Sequence, residues 1–190
     1  VSKGIIQSMK ALKSYLETAM PDLKEVLDEW PEANEQLEYP ALSMMQGNPQ
    51  YTNMFPEFLA KTDLDDDKLT TSDWVVGMWD WKVQLDLWCG SKTERNDLSD
   101  KLFQALNPDV VNPDGVKNGL GLQLADYYNI WARFDIADQR IEDSEVESQR
   151  REWRIQFTLL ANVRQVVSRT DSGIETIENG LLIVDNIPSS

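Results

Sequence analysis

The sequence runs to 190 residues, with 33 Asp and Glu against 18 Lys and Arg, no histidine and a single cysteine. This length suits one compact domain, or a domain with long arms, and buries about 70% of the surface its unfolded chain exposes, so a core forms without disulfides or structural metal. A formal charge of −15 opposes phosphate backbones and anionic lipid surfaces, and the missing histidine removes Ser/His/Asp and Cys/His chemistry within one chain.

Residues 3 to 20 place Ile5, Met9, Leu12 and Leu16 at helical spacing, with Ile6 and Tyr15 widening the stripe and Lys3, Lys10 and Lys13 opposite, the pattern of an amphipathic helix. Pro21 either ends that helix or opens a second one as its first residue, with Leu23, Val26, Leu27 and Trp30 marking an apolar side before Pro31. A short strand is expected over 41–46, after Pro40. Residues 47–72, punctuated by Gly47, Pro49 and Pro56, read as a long, less regular connection anchored by Phe55, Phe58 and Leu59.

From Trp79 to Leu87 the alternation is unbroken: Trp79, Trp81, Val83, Leu85 and Leu87 are apolar and Asp80, Lys82, Gln84 and Asp86 fall between them, which predicts a strand with one buried face. Ser91 and Glu94 form a capping box. Leu98, Leu102, Phe103 and Leu106 supply the stripe of a helix that closes at Asn107-Pro108. After a Pro/Gly/Asn loop over 107–119, Leu120, Leu122 and Leu124 alternate, as do Ile130, Ala132, Phe134 and Ile136. The longest strand follows, with Trp153, Ile155, Phe157, Leu159, Ala161 and Val163 on one side, and the strands flanking 138–150 read as antiparallel partners joined by a long polar hairpin loop. Asn179-Gly180 between two apolar runs predicts a hairpin near the C-terminus. The expected fold is α+β: a mainly antiparallel sheet with helices packed on one face, a long hairpin and extended acidic loops.

Residues 17–38 carry −7 and residues 57–73 carry −4, together −11 of the −15. Both stretches contain proline, which places the charge on connecting surface, either as ordinary solubility or as a surface that repels polyanions. No run of about 18 apolar residues and no leader-like order occurs, so membrane spanning and export are not expected. The lone Cys89 is compatible with a reducing cytoplasm and reads as a small packed apolar side chain. Asp63, Asp65 and Asp67 resemble the start of a calcium loop, but Lys68 and Trp74 stand where glycine and glutamate are needed, so no metal site is expected. Gly119-Leu120-Gly121 lacks the third glycine and the preceding strand of a dinucleotide cradle, and no cofactor is expected. Trp79 and Trp81 read as core packing. Trp88 and Trp131 fall on the polar side of their strands and are candidate protein contacts. The segment with Glu142, Asp143, Glu145 and Glu147, flanked by Arg140, Arg150 and Arg151, is either solvated or a charged contact between subunits.

The opening helix, the short strand after Tyr39-Pro40-Ala41-Leu42, the strand from Trp79 to Trp88, the immediate helix from Ser91-Lys92-Thr93-Glu94-Arg95 and the final hairpin through Arg151-Glu152-Trp153-Arg154-Ile155 resemble the tail terminator proteins of tailed bacteriophages. The resemblance covers residues 1–165 and leaves 166–190 as a C-terminal extension. It implies a non-enzymatic virion part at the head-tail interface, assembled in the bacterial cytoplasm. Such a part is a homo-hexameric ring that caps the tail tube, meets the head connector, in some phages a sheath or collar, and lets genome DNA pass without specific binding. Alternatives are another neck component, or a soluble acidic adaptor or inhibitor that binds a basic partner through residues 17–38.

Overall fold

A computed structural model describes residues 3–31, 37–64, 69–108, 119–124, 130–146 and 150–172. Its elements in chain order are α1 (Lys3–Ala19), β1 (Glu25–Leu27), β2 (Ala41–Gln46), β3 (Gln50–Leu64), β4 (Leu69–Cys89), α2 (Lys92–Leu106), β5 (Leu120–Gln123), β6 (Trp131–Ile141), β7 (Ser144–Val146) and β8 (Arg150–Ser172). The strands hydrogen-bond in the order β1-β2-β4-β8-β6-β5, with β3 added to β4 and β7 to β8. The β1–β2 pair is parallel, and β2–β4, β5–β6, β6–β8 and β7–β8 are antiparallel. The class is α+β with a mainly antiparallel, curled sheet.

The chain packs as two compact units. One contains the described residues up to Met54 and those from Gly77 to Gln165; the other contains those from Phe55 to Val76 and from Val166 onward. In the first unit, Trp81, Val83, Leu85 and Leu87 of β4, Ile155, Phe157, Leu159, Ala161 and Val163 of β8, and Ala132 and Phe134 of β6 are buried on one side of the sheet. Each side chain of Leu or Phe size removed from water there contributes about 1.5–3 kcal/mol before entropy. Helix α1 turns Ile5, Ser8, Leu12 and Leu16 inward, and α2 turns Arg95, Leu98, Ser99, Leu102 and Leu106 inward. The Tyr15 hydroxyl donates to the Ala105 carbonyl at 2.7 Å, so the two helices meet on the same side. α1 lies against both β1 and β5, the two ends of the strand order, which is how the curl of the sheet closes around it.

Pro21 follows the end of α1, and Leu23 to Trp30 form no second helix: Lys24 donates its N–H to the Pro40 carbonyl at 2.8 Å and Glu25–Leu27 becomes β1 beside β2. Residues 47–72 correct the expectation of an irregular connection, because β3 and the start of β4 run through most of them. Glu57, Asp63 and Asp73 therefore lie on strands. Ile6 is 44% exposed and Phe103 likewise, so neither belongs to its helix's buried stripe as expected. In the second unit, Val75 is buried and Phe58 meets Trp74 edge-on, their ring centroids 5.3 Å apart. The anticipated hairpin around Asn179-Gly180 and most of the 107–119 loop lie outside the described residues.

One irregularity places the candidate site. Along β6 and β8 the partners Ala132–Val163, Phe134–Ala161 and Ile136–Leu159 face the core, then the register shifts between Ile136 and Asp138, after which Gln139–Phe157 and Ile141–Ile155 pair. A bulge of this kind exchanges the two faces of a strand. It turns Asp138 and Arg140 away from the core and brings Glu142 beside Arg154, with the Glu142 N–H donating to the Arg154 carbonyl at 3.0 Å.

Candidate functional site

On the sheet side opposite the Leu85 and Leu87 core, four elements converge on Arg154. Alternation along β4 puts Asp86 and Trp88 on that side, the β2–β4 register sets Ser43 opposite Asp86, and Trp30 comes from the stretch after β1. The Arg154 guanidinium carbon lies 4.9 Å from the Trp30 ring centroid and 5.0 Å from that of Trp88, while the two indoles meet edge-to-face at 5.1 Å. Stacking of this sort suits a guanidinium, which is weakly hydrated and planar. Trp88 is 6% exposed and donates its indole N–H to the Ser43 hydroxyl at 3.0 Å, inside the fold.

Two carboxylates flank the guanidinium at longer range. Asp86 Oδ1 is 3.8 Å from Arg154 Nε, and Glu142 Oε2 is 3.8 Å from Arg154 Nη2. These separations carry Coulomb attraction but are too long for direct hydrogen bonds. Asp86 Oδ2 accepts from Gln84 Nε2 at 2.7 Å, while Asp86 Oδ1 and Arg154 Nε have no hydrogen-bond partner. Burial pushes the Asp86 pKa up, with Glu142 adding to the rise and Gln84 and Arg154 opposing it. With both carboxylates ionised the cluster carries a net −1. Chemically it is a cation held by its own chain's two indoles and two acids, a staple that joins β2, β4, β6 and β8.

A second arginine performs a similar task on the helix side. Arg95, 2% exposed, pairs with Asp143 through Nη1, donates from Nε and Nη2 to Asn96 Oδ1, and lies 5.8 Å over the Trp153 ring. Glu142 and Asp143 are thus consecutive residues that reach different arginines, and between them they tie the end of β6 to the aromatic cluster and to α2.

The residues singled out from the sequence separate into groups. Trp88, a candidate protein contact from sequence, is buried instead: the Trp30 ring and the Arg154 guanidinium pack on its ring and the Ser43 hydroxyl takes its N–H. Trp131 is 54% exposed on β6. Arg140 is exposed and its Nε donates to Asp138 at 2.6 Å. Glu142 and Asp143 face arginines of their own chain. Glu145 and Val146 of β7 stand in register with Arg151 and Arg150 of β8, so that acidic segment is shorter as a loop than its composition implied. Glu147 lies outside the described residues, as do Asp65 and Asp67 of the calcium-like run. Cys89 is fully buried, and burial with the nearby Glu94 pushes its thiol pKa up to about 12. Trp81 is buried as expected, while Trp79 is half-buried, donates to Gln165 Oε1 at 2.8 Å and packs its ring on Tyr51.

Sequence reasoning did not single out Trp30, Asp86, Arg95 or Arg154. Arg95 had a signal, since 95, 98, 99, 102 and 106 share one helical face and a cation there must find a partner. Among the described residues no group of three or more His, Cys, Asp or Glu is placed to hold a metal, and no helix is long and apolar enough to cross a membrane. No protein-family model matches the sequence, and no curated protein is significantly similar to it.

Proposed function

We propose that the chain is a virion structural protein of the tail terminator kind, which assembles as a homo-hexameric ring, caps the tail tube and joins it to the head connector. Residues 1–165 serve as the ring-forming body and 166–190 as an extension available to a neighbouring neck, sheath or collar component. The observation that carries this reading is β3: Met54 is 41%, Phe55 97% and Phe58 52% exposed on a strand whose described pairing is with β4. Aromatic side chains in water on a sheet edge are unfavourable for a lone molecule and are typical of a surface built to be covered by another chain. Trp131 on β6 adds a second exposed anchor.

The charge distribution supports the same reading over an acidic adaptor. Two acids of the 17–38 segment are engaged within the chain, Asp28 by Lys13 at 2.9 Å and Asp22 by Lys101 at 2.5 Å, and Glu25 accepts the Glu38 N–H at 3.1 Å. Those contacts take up part of the acidic charge that an adaptor would present to a basic partner. The direct test adds the purified chain to polymerising tail tube protein and measures tube length. A terminator stops elongation at sub-stoichiometric amounts and sits at one tube end, whereas unchanged tube lengths and no end-bound density would reject the proposal.

A further inference from the structure

A hydrogen bond is left unmade at the centre of the Arg154 cluster. Asp86 Oδ1 and Arg154 Nε stand 3.8 Å apart, both shielded from solvent and neither with a partner. A charge-assisted bond between such atoms spans about 2.7–2.9 Å, so Nε would have to travel about 1 Å to make it. The guanidinium instead lies on the two indoles, its carbon 4.9 Å from the Trp30 centroid and 5.0 Å from that of Trp88. We infer that Arg154 is a two-position latch, moved by the proton on Asp86 between the indole stack and a direct bond to that carboxylate, and that the first position pins the Trp30 ring to the sheet while the second releases it. The latch belongs to one copy of the chain and is independent of the ring reading.

The donors and acceptors distinguish the two positions. Asp86 Oδ2 accepts the Gln84 amide N–H at 2.7 Å, which leaves Oδ1 as the oxygen for a proton. A protonated Oδ1 turns a donor toward the Arg154 Nε–H, itself a donor, so no bond forms and the guanidinium rests on the indoles, where its weak hydration suits it. An ionised Oδ1 accepts that N–H and draws Arg154 toward β4. Among the described residues, the charged groups that act on Asp86 are Arg154 from β8 and Glu142 from beyond the end of β6, while β4 adds Gln84 and β2 sets the uncharged Ser43 opposite. Glu142 lies 3.8 Å from Nη2 and not from Nε, so it attracts the guanidinium whether or not Asp86 carries a proton. Trp30 is the indole that registers the move. It is 37% exposed and lies outside the strands, whereas Trp88 is 6% exposed and tied to Ser43 by its N–H.

NMR of the full chain, labelled with 15N in arginine and tryptophan and followed from about pH 4 to about pH 8, reads both partners at once, with circular dichroism as the check on folding. As pH rises, the Arg154 Nε–H is expected to move downfield and its protection against solvent exchange to rise about tenfold, as a hydrogen bond to a charged group implies. The Trp30 indole N–H, identified by its loss in Trp30→Phe, should move with the same midpoint. Burial, with Glu142 adding to it, places that midpoint above the ordinary carboxylate value of about 3.9. Both movements should persist in Glu142→Gln and vanish in Asp86→Asn. An Arg154 Nε–H that stays constant over the range overturns the proposal, as does a transition that Glu142→Gln abolishes, or one that moves Arg154 and leaves Trp30 unchanged. The native chain and Glu142→Gln decide the outcome even where Asp86→Asn fails to fold.

Discussion

Arg95 and Asp143 differ in what each leaves behind when removed. Asp143→Ala strands a guanidinium that is 2% exposed, and an uncompensated buried charge of this kind costs about 3 kcal/mol. Arg95→Met keeps a long stem against Trp153 and leaves Asp143, 33% exposed, free to hydrate, so its cost should be nearer 1 kcal/mol. Urea denaturation of both variants checks the order, and the reverse order would mean that the pair is not the main support of Arg95. Asp86 makes a prediction in pH. Its folded pKa is raised, so the proton is favoured in the folded state, and the associated stability is present below the unfolded value of about 3.9 and lost as pH rises through the folded value. Asp86→Asn lacks that loss. Its melting temperature relative to the native chain should therefore climb from acid to neutral pH, and a difference that stays flat or falls would assign the ionised carboxylate a stabilising role through Arg154.

At the scale of elements, α2 depends on its first turn. The Ser91 hydroxyl accepts the Glu94 N–H at 3.2 Å, and Glu94 Oε2 accepts the Gly90 N–H at 2.8 Å, one residue before the position a standard capping box uses. Ser91→Ala should cost about 1 kcal/mol, read from thermal unfolding, because it leaves a helix N–H without its acceptor. That cap and the 79–87 strand were legible from sequence because each follows a local rule: a fixed four-residue spacing in one case, alternation against a single core in the other. The strand β3 was not legible for the opposite reason. Residues 50–58 are all exposed, so no buried face imposes a period of two, and Pro56 reads as a breaker. The Arg154 cluster was hidden by distance along the chain: Asp86 and Arg154 each occupy an ordinary polar position of an alternating strand, and only the β2–β4 register and the β6 bulge bring Ser43, Trp88 and Glu142 to them. Trp88 was placed on the correct side of its strand, but that side is covered in the folded chain.

At the scale of the molecule, the net charge bears on the proposed ring. If the proposed ring forms, six copies of −15 would sum to about −90 before counterions, which would disfavour adhesion of passing DNA to its wall. The same charge would oppose association of such copies, so assembly of the proposed ring, through exposed apolar residues such as Phe55 and Trp131, should strengthen as salt screens the repulsion. The mass of the assembled particle tests the central claim most directly. Native mass spectrometry of the full chain should find a species of about 131 kDa, six times 21.8 kDa, alone or with tube protein. A single species at 21.8 kDa under all conditions, with and without tube protein, would contradict it.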